Sequence, residues 1–250
     1  MKKIIITLIL AFTIPTIFGQ YKMRTVDELI NRTEPRWTVV KQWIDSAKNK
    51  VEILPVDTLK AKDALYKTQV TTRSVMGAIV YSSGGILIDD GWIRILGSGS
   101  SRMHRTLPDW NKGKAFNEFG EPPAFFLVAD DAAGGYFAIN YGSFGKDVES
   151  IYYLSPDDLQ WEPLKMNYED FIWFCFTGDL KKFYTGIRWN SWQKDVQSLK
   201  ADEVFHIFPP LWSKEGKDVE KSLKKPVPAE ELFSYTLQLR KQMGLDKNGY

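Results

Sequence analysis

Cysteine and histidine are nearly missing from this chain: Cys175 is the one thiol, and His104 and His206 are the two imidazoles in 250 residues. One thiol cannot close an intrachain disulfide, so stability has to come from a packed core even in an oxidising compartment. With two histidines, few bases are available to a serine or cysteine nucleophile, which needs one within hydrogen-bonding reach. The chain has no Gly-x-Ser-x-Gly elbow, phosphate loop or His-Glu-x-x-His helix, so neither a bound cofactor nor a metal ion is expected. Net charge is also small, with 33 Lys and Arg against 31 Asp and Glu. That balance offers no broad attraction to nucleic acid or to an anionic membrane.

What is present begins at the amino terminus. Lys2 and Lys3 precede an apolar stretch from Ile4 to Ala11 that continues through Phe12, Ile14 and Ile17 to the small residue Gly19. This is the layout of a signal peptide over residues 1–19, cleaved after Gly19. A stable membrane span needs about 20 predominantly apolar residues, and Thr13, Pro15 and Thr16 interrupt this run. An uncleaved anchor or a buried first helix fits Pro15 and the lysines less well. No cysteine follows the cleavage site to carry a lipid, so a periplasmic or secreted protein is expected. Residues 20–250 are long enough for one large core, since a chain of this size can bury roughly 70% or more of its unfolded surface.

The periodicities then divide the chain. Thr25 and Glu28 form a capping box ahead of a short helix. Pro35 opens a second helix, in which Trp37, Val40, Ile44 and Ala47 share a face. After a strand over Val51 to Leu54, Asp57 caps a helix with Leu59 and Leu65. Apolar runs at Ala78 to Tyr81, Ile86 to Ile88 and Trp92 to Leu96, separated by Ser-Ser-Gly-Gly and Asp-Asp-Gly, read as a meander of strands. Arg102 to Glu121 reads as a surface loop with a short helix near Leu107 to Trp110. Further strands are expected at Phe125 to Ala129, Tyr136 to Asn140, Ile151 to Leu154 and Gln160 to Glu162. Helices follow from Tyr168, near Leu180 to Tyr184 and from Asn190 to Leu199. Lys214 to Lys225 is a charged connector, and Glu230 to Met243 is a terminal helix. The expectation is a single α+β domain with a largely antiparallel sheet bracketed by N-terminal and C-terminal helices.

Several constellations bear on function. Asp89-Asp90, Asp130-Asp131 and Asp157-Asp158 each sit at a turn or strand end. Aspartate favours turns because its side chain bonds the local backbone, and the alternating spacing of a calcium loop is missing. Asp130 and Asp131 stand out because Gly134 and Gly135 would let a ligand or another backbone approach closely. Arg73 and Arg94 lie near strands, and arginine can grip a carboxylate with two prongs. Together Arg73, Arg94, Asp130, Asp131, Gly134 and Gly135 form the candidate recognition patch. Paired carboxylates roughly 5 to 10 Å apart can also hydrolyse glycosides, and nine tryptophans could stack on sugars, although most fall in or beside predicted elements. Cys175, in an aromatic helix stripe, reads as a small core hydrophobe.

Residues 129–140, Ala-Asp-Asp-Ala-Ala-Gly-Gly-Tyr-Phe-Ala-Ile-Asn, resemble a bacterial family of unknown function, DUF family 2625. Segments 23–29, 69–74, 91–99 and 152–161 match it as well, so the resemblance covers nearly all of residues 20–250. The aspartate-and-glycine hairpin, the following strands and the helix with Phe171 and Phe174 are also similar to the SUKH superfamily, many of whose members are immunity proteins that bind bacterial toxins. That resemblance implies a non-enzymatic module that binds another protein. The export signal departs from it, since immunity to toxins acting inside a cell calls for a cytoplasmic protein. The competing reading is a carbohydrate-binding or carbohydrate-active envelope protein, and a third is a structural envelope component.

Overall fold

The computed structural model describes residues 22–246; the expected signal peptide lies outside them. The first elements follow their caps. Thr25 and Glu28 make the reciprocal capping box of α1 (Val26–Leu29), and the Asp57 carboxylate accepts the amides of Leu59 and Lys60 at the start of α3 (Thr58–Thr68). Between them α2 (Trp37–Asp45) begins two residues after Pro35. Seven strands then pair strictly in chain order, each antiparallel to the next: β1 (Val51–Ile53), β2 (Gly85–Ile88), β3 (Ile93–Leu96), β4 (Phe125–Asp131), β5 (Tyr136–Asn140), β6 (Ile151–Leu154) and β7 (Trp161–Pro163). Every residue of β2 to β6 is buried. Both sheet faces are therefore covered, and the strands read as apolar runs rather than alternating ones.

Neighbouring residues of β5 show what covers each face. Phe137 stacks on Tyr153 and meets Phe171 of α6 (Tyr168–Thr177) at 4.8 Å. Tyr136, pointing the other way, packs edge-on at 4.8 Å against Phe233 of the terminal helix α9 (Ala229–Gln242). The first face also receives Phe183 of α7 (Leu180–Phe183). The second takes Trp110 of α5 (Leu107–Asn111) through the same Phe233 ring. The architecture is α+β, as expected.

Three expectations need correction. Ala78 to Tyr81 is not a strand but part of α4 (Val75–Ser82), started by the Ser74 hydroxyl, which accepts the Gly77 amide at 3.0 Å. Residues Val75 to Val80 are all buried, and an all-round apolar run carries no periodicity to separate helix from strand. The segment from Arg102 to Glu121 is also more than a surface loop, because Met103, Leu107 and Trp110 are core residues. Finally, a two-stranded ribbon, β8 (Glu203–Phe208) with β9 (Leu223–Pro228), follows α8 (Trp192–Ser198) and takes up the end of the expected charged connector. Pro226 and Pro228 argue against a strand, but β9 has a neighbour on one side only, where a missing N–H need not interrupt the ladder.

Gly77 lets α4 press against the preceding loop, since a Cβ there would overlap the Thr71 carbonyl. Alanine would favour the helix by about 1 kcal/mol, yet the overlap dominates, and Gly77→Ala should lower stability by about 2 kcal/mol in urea unfolding.

Candidate functional site

The site is built on one row of side chains crossing the sheet. Strand partners share a face, and the register places Glu52, Leu87, Arg94, Asp130 and Tyr136 side by side on five consecutive strands. Arg94 and Asp130 are each 1% exposed. Arg94 Nε donates to Asp130 Oδ1 at 2.7 Å, Nη2 donates to the Asp131 carbonyl at 2.8 Å, and Nη1 donates to the Glu203 carbonyl. The second Asp130 oxygen accepts from Arg105 Nη1. Arg105 continues outward, with Nε donating to Asp202 Oδ1 at 3.1 Å and Nη2 to the Ala201 carbonyl at 2.8 Å. Its guanidinium carbon lies over Trp110, 4.7 Å from the ring centre.

Two guanidiniums thus face two carboxylates, and the buried charges compensate one another. Burial alone would weaken the Arg105 charge, but Asp130 and Asp202 outweigh it and hold the group above its ordinary pKa. Burial also opposes ionisation of Asp202, yet hydrogen bonds from the His104 amide and the charge of Arg105 prevail, and its carboxyl is held below 3.8. The His104 ring joins the same carboxylate, Nδ1 to Oδ2 at 2.9 Å.

Asp131 belongs to a different set. Next to Asp130 on β4, it points to the opposite face, where Oδ2 accepts the Tyr153 hydroxyl at 2.7 Å and Oδ1 accepts the amides of Ala133 and Gly135, both at 2.9 Å. Burial pushes its carboxyl up, against those hydrogen bonds. The two aspartates are therefore not one paired carboxylate site. Gly134 and Gly135 serve the protein's own packing. Gly134 has a left-handed φ of 84°, and a Cβ on it would stand 2.5 Å from Leu232 of α9; one on Gly135 would overlap Asp131 and Tyr153. The hairpin expected to be an open recognition face lies beneath α9 and β8, whose Phe205 amide bonds the Ala132 carbonyl at 2.8 Å. Arg73 does not join this group; it is exposed and pairs with Glu34 at 3.2 Å.

The other constellations also resolve. Asp89 pairs with Arg188 at 2.9 Å and Asp90 with Lys50, while Asp158 accepts the Gln160 amide at 2.8 Å. Among the described residues, no three His, Cys, Asp or Glu side chains group as metal ligands. Of the nine tryptophans, Trp173 alone among the described residues is exposed, at 42%, and its ring sits edge-on to Trp43. Cys175 is fully buried, and its thiol is pushed well up by burial.

At the Glu52 end of the row lies a cleft of about 690 Å³, whose lining includes exposed Glu52 and the buried Leu87 and Arg94. Ser101, Arg102, His104 and residues 196–203 also line it. Sequence reasoning did not assemble this place. Arg105 and Asp202 are 97 residues apart, and no local pattern links them; His104 was visible only as a polar loop residue.

The chain belongs to the family described as "Protein of unknown function DUF2625", whose model matches residues 26–232. It is similar to an uncharacterized protein of Haemophilus influenzae, 45% identical over 189 residues, 76% of this chain and 83% of the relative. It is also similar to the putative uncharacterized protein YbfG of Escherichia coli, 39% identical over 218 residues, 87% of this chain and 98% of that protein. No solved structure matches, so the likeness to the SUKH superfamily gains no support from the comparisons.

Two measurements check the network. Arg94→Met leaves Asp130 with one buried partner and should cost about 3–5 kcal/mol in urea unfolding, whereas Arg73→Met, at an exposed pair, should stay within about 0.5 kcal/mol. Because the Asp202 carboxyl is held below 3.8, its contribution is present above that value and is lost as the pH falls through the lower folded value. Melting temperatures of wild type and Asp202→Asn should therefore converge in that acid window and diverge above it.

Proposed function

We propose that this chain is exported by its leader and works in the cell envelope, periplasmic or secreted, as a non-enzymatic binding module for another protein, with the cleft over Arg94 as its recognition surface. One observation carries the reading: the charged side chains along the cleft already have opposite partners within the protein. Glu52 is paired with Arg102, Asp90 with Lys50, Arg94 with Asp130, Lys200 with Glu203, and Asp202 with both His104 and Arg105.

A catalytic cleft needs a base or nucleophile poised toward the reacting atom. Here Asp202 holds the His104 ring through Nδ1, but among the described residues no hydroxyl or thiol hydrogen-bonds that ring as a nucleophile would, and the thiol is enclosed elsewhere. Alternating, self-compensated charge suits a polar rim that exchanges partners with a protein surface, and it gives little pull on a small ion. The leader of Lys2, Lys3 and the apolar run to Gly19 supports export.

Native protein should begin at Gln20 and fractionate with the envelope; a chain that starts at Met1 among cytosolic markers would overturn export. Ser101→Trp, on the exposed cleft wall, should fill the cleft without touching the core. A stoichiometric protein partner captured by wild type and lost with this variant supports the reading, and equal capture by both would sink it.

A further inference from the structure

The β8–β9 ribbon ends in an exposed apolar pair. Phe208 and Leu223 are register partners at its last rung, and they are 62% and 70% exposed. They share a ribbon face with His206 and Lys225, which pair two residues earlier. Helix α9 reaches this face as far as His206, whose ring meets Tyr235 at 5.7 Å, and Tyr235 is itself 47% exposed. The opposite ribbon face turns inward, with Phe205 on Trp189 at 5.3 Å and the Lys224 ammonium over the same ring at 5.2 Å. The tip therefore carries two large apolar groups that add nothing to the core.

Lysines are close to the pair in sequence. Lys214, Lys217, Lys221 and Lys225 are exposed in the segment leading into and along β9. Lys221 is tied to Asp218 at 2.7 Å, and Glu220 accepts the Asn190 amide at 2.7 Å. No ion pair engages Lys214, Lys217 or Lys225 among the described residues, and the carboxylates of Glu215 and Glu220 stand against them. Residues 214–225 thus carry five lysines against Glu215, Asp218 and Glu220, a net excess of two positive charges in a chain that is nearly balanced overall.

We propose that this ribbon tip docks peripherally on an anionic lipid surface. The composition decides between lipid and protein. Lysine is depleted in protein–protein interfaces, whereas an aromatic and an aliphatic side chain that enter the headgroup boundary while lysines meet anionic headgroups suit a membrane surface. Among the described residues, no helix is long and apolar enough to cross a membrane, so the attachment is superficial and salt-sensitive.

The chain cut after Gly19 retains every residue of the fold described above and lacks the apolar leader, which would itself enter lipid. Its sedimentation should be compared on phosphatidylcholine vesicles and on vesicles that also contain phosphatidylglycerol. Binding is expected on the mixed vesicles at low salt, fading as salt is added, and roughly tenfold weaker for Phe208→Ser combined with Leu223→Ser, a difference of about 1.4 kcal/mol. Far-UV circular dichroism and the melting temperature of that variant should be unchanged, because both side chains are exposed. Absence of binding to the mixed vesicles, equal binding to phosphatidylcholine alone, or undiminished binding by the folded double variant would each overturn the proposal. Ser101→Trp should still bind vesicles, which separates failure here from failure of the cleft reading.

Discussion

The buried pair of Arg94 and Asp130 is the constraint around which the rest of the molecule is arranged. Two charges at 1% exposure are tolerable only if every hydrogen-bonding group around them finds a partner, because a lone buried charge loses several kcal/mol of hydration. The sheet supplies one partner by placing the two residues opposite each other on β3 and β4. Of the remaining valences, one is met by the Asp131 carbonyl at the end of β4 and two reach beyond the sheet, to the Glu203 carbonyl and to the Arg105 guanidinium. Satisfying one ion pair therefore fixes the start of β8 and the loop before α5, two segments that line the cleft.

Strand alternation explains why the site cannot be read as a cluster of acids. Asp130 and Asp131 are neighbours in sequence but serve opposite faces. One neutralises arginines under the ribbon, and the other closes its own hairpin and holds Tyr153 beneath the α6 face. Adjacent carboxylates on a regular strand are held apart by the backbone itself. The charges near the cleft are spent on architecture, and this is the physical basis for reading it as a recognition surface.

Much of the fold was legible because its signals are local. Thr25 and Asp57 each cap the helix that follows, and turn clusters fall near the observed ends of several strands. Misreadings arose where the signal is not local. Helix α4 is apolar on all sides, so its period is erased, and β9 carries prolines that only its unpaired edge makes acceptable. Arg94, Asp130 and Asp131 were singled out because their charge and glycine neighbours are conspicuous, but their burial depends on α9 and β8, which arrive much later in the chain. Arg105 and Asp202 had no such neighbours, and a contact between residues 97 apart leaves no mark on either local pattern.

The strictly sequential order of the seven strands also sets a temporal order. Each hairpin of the meander closes over a connection far shorter than the 109 residues that separate Arg94 from the Glu203 carbonyl. Loop-closure entropy grows with separation, and distant contacts form more slowly than near ones. The sheet can therefore assemble while Arg94 is still hydrated, and arrival of the carboxy-terminal third dehydrates that cation as the closing event. A nascent chain that has emerged only as far as β7 would still carry a wet, unfinished charge at its centre.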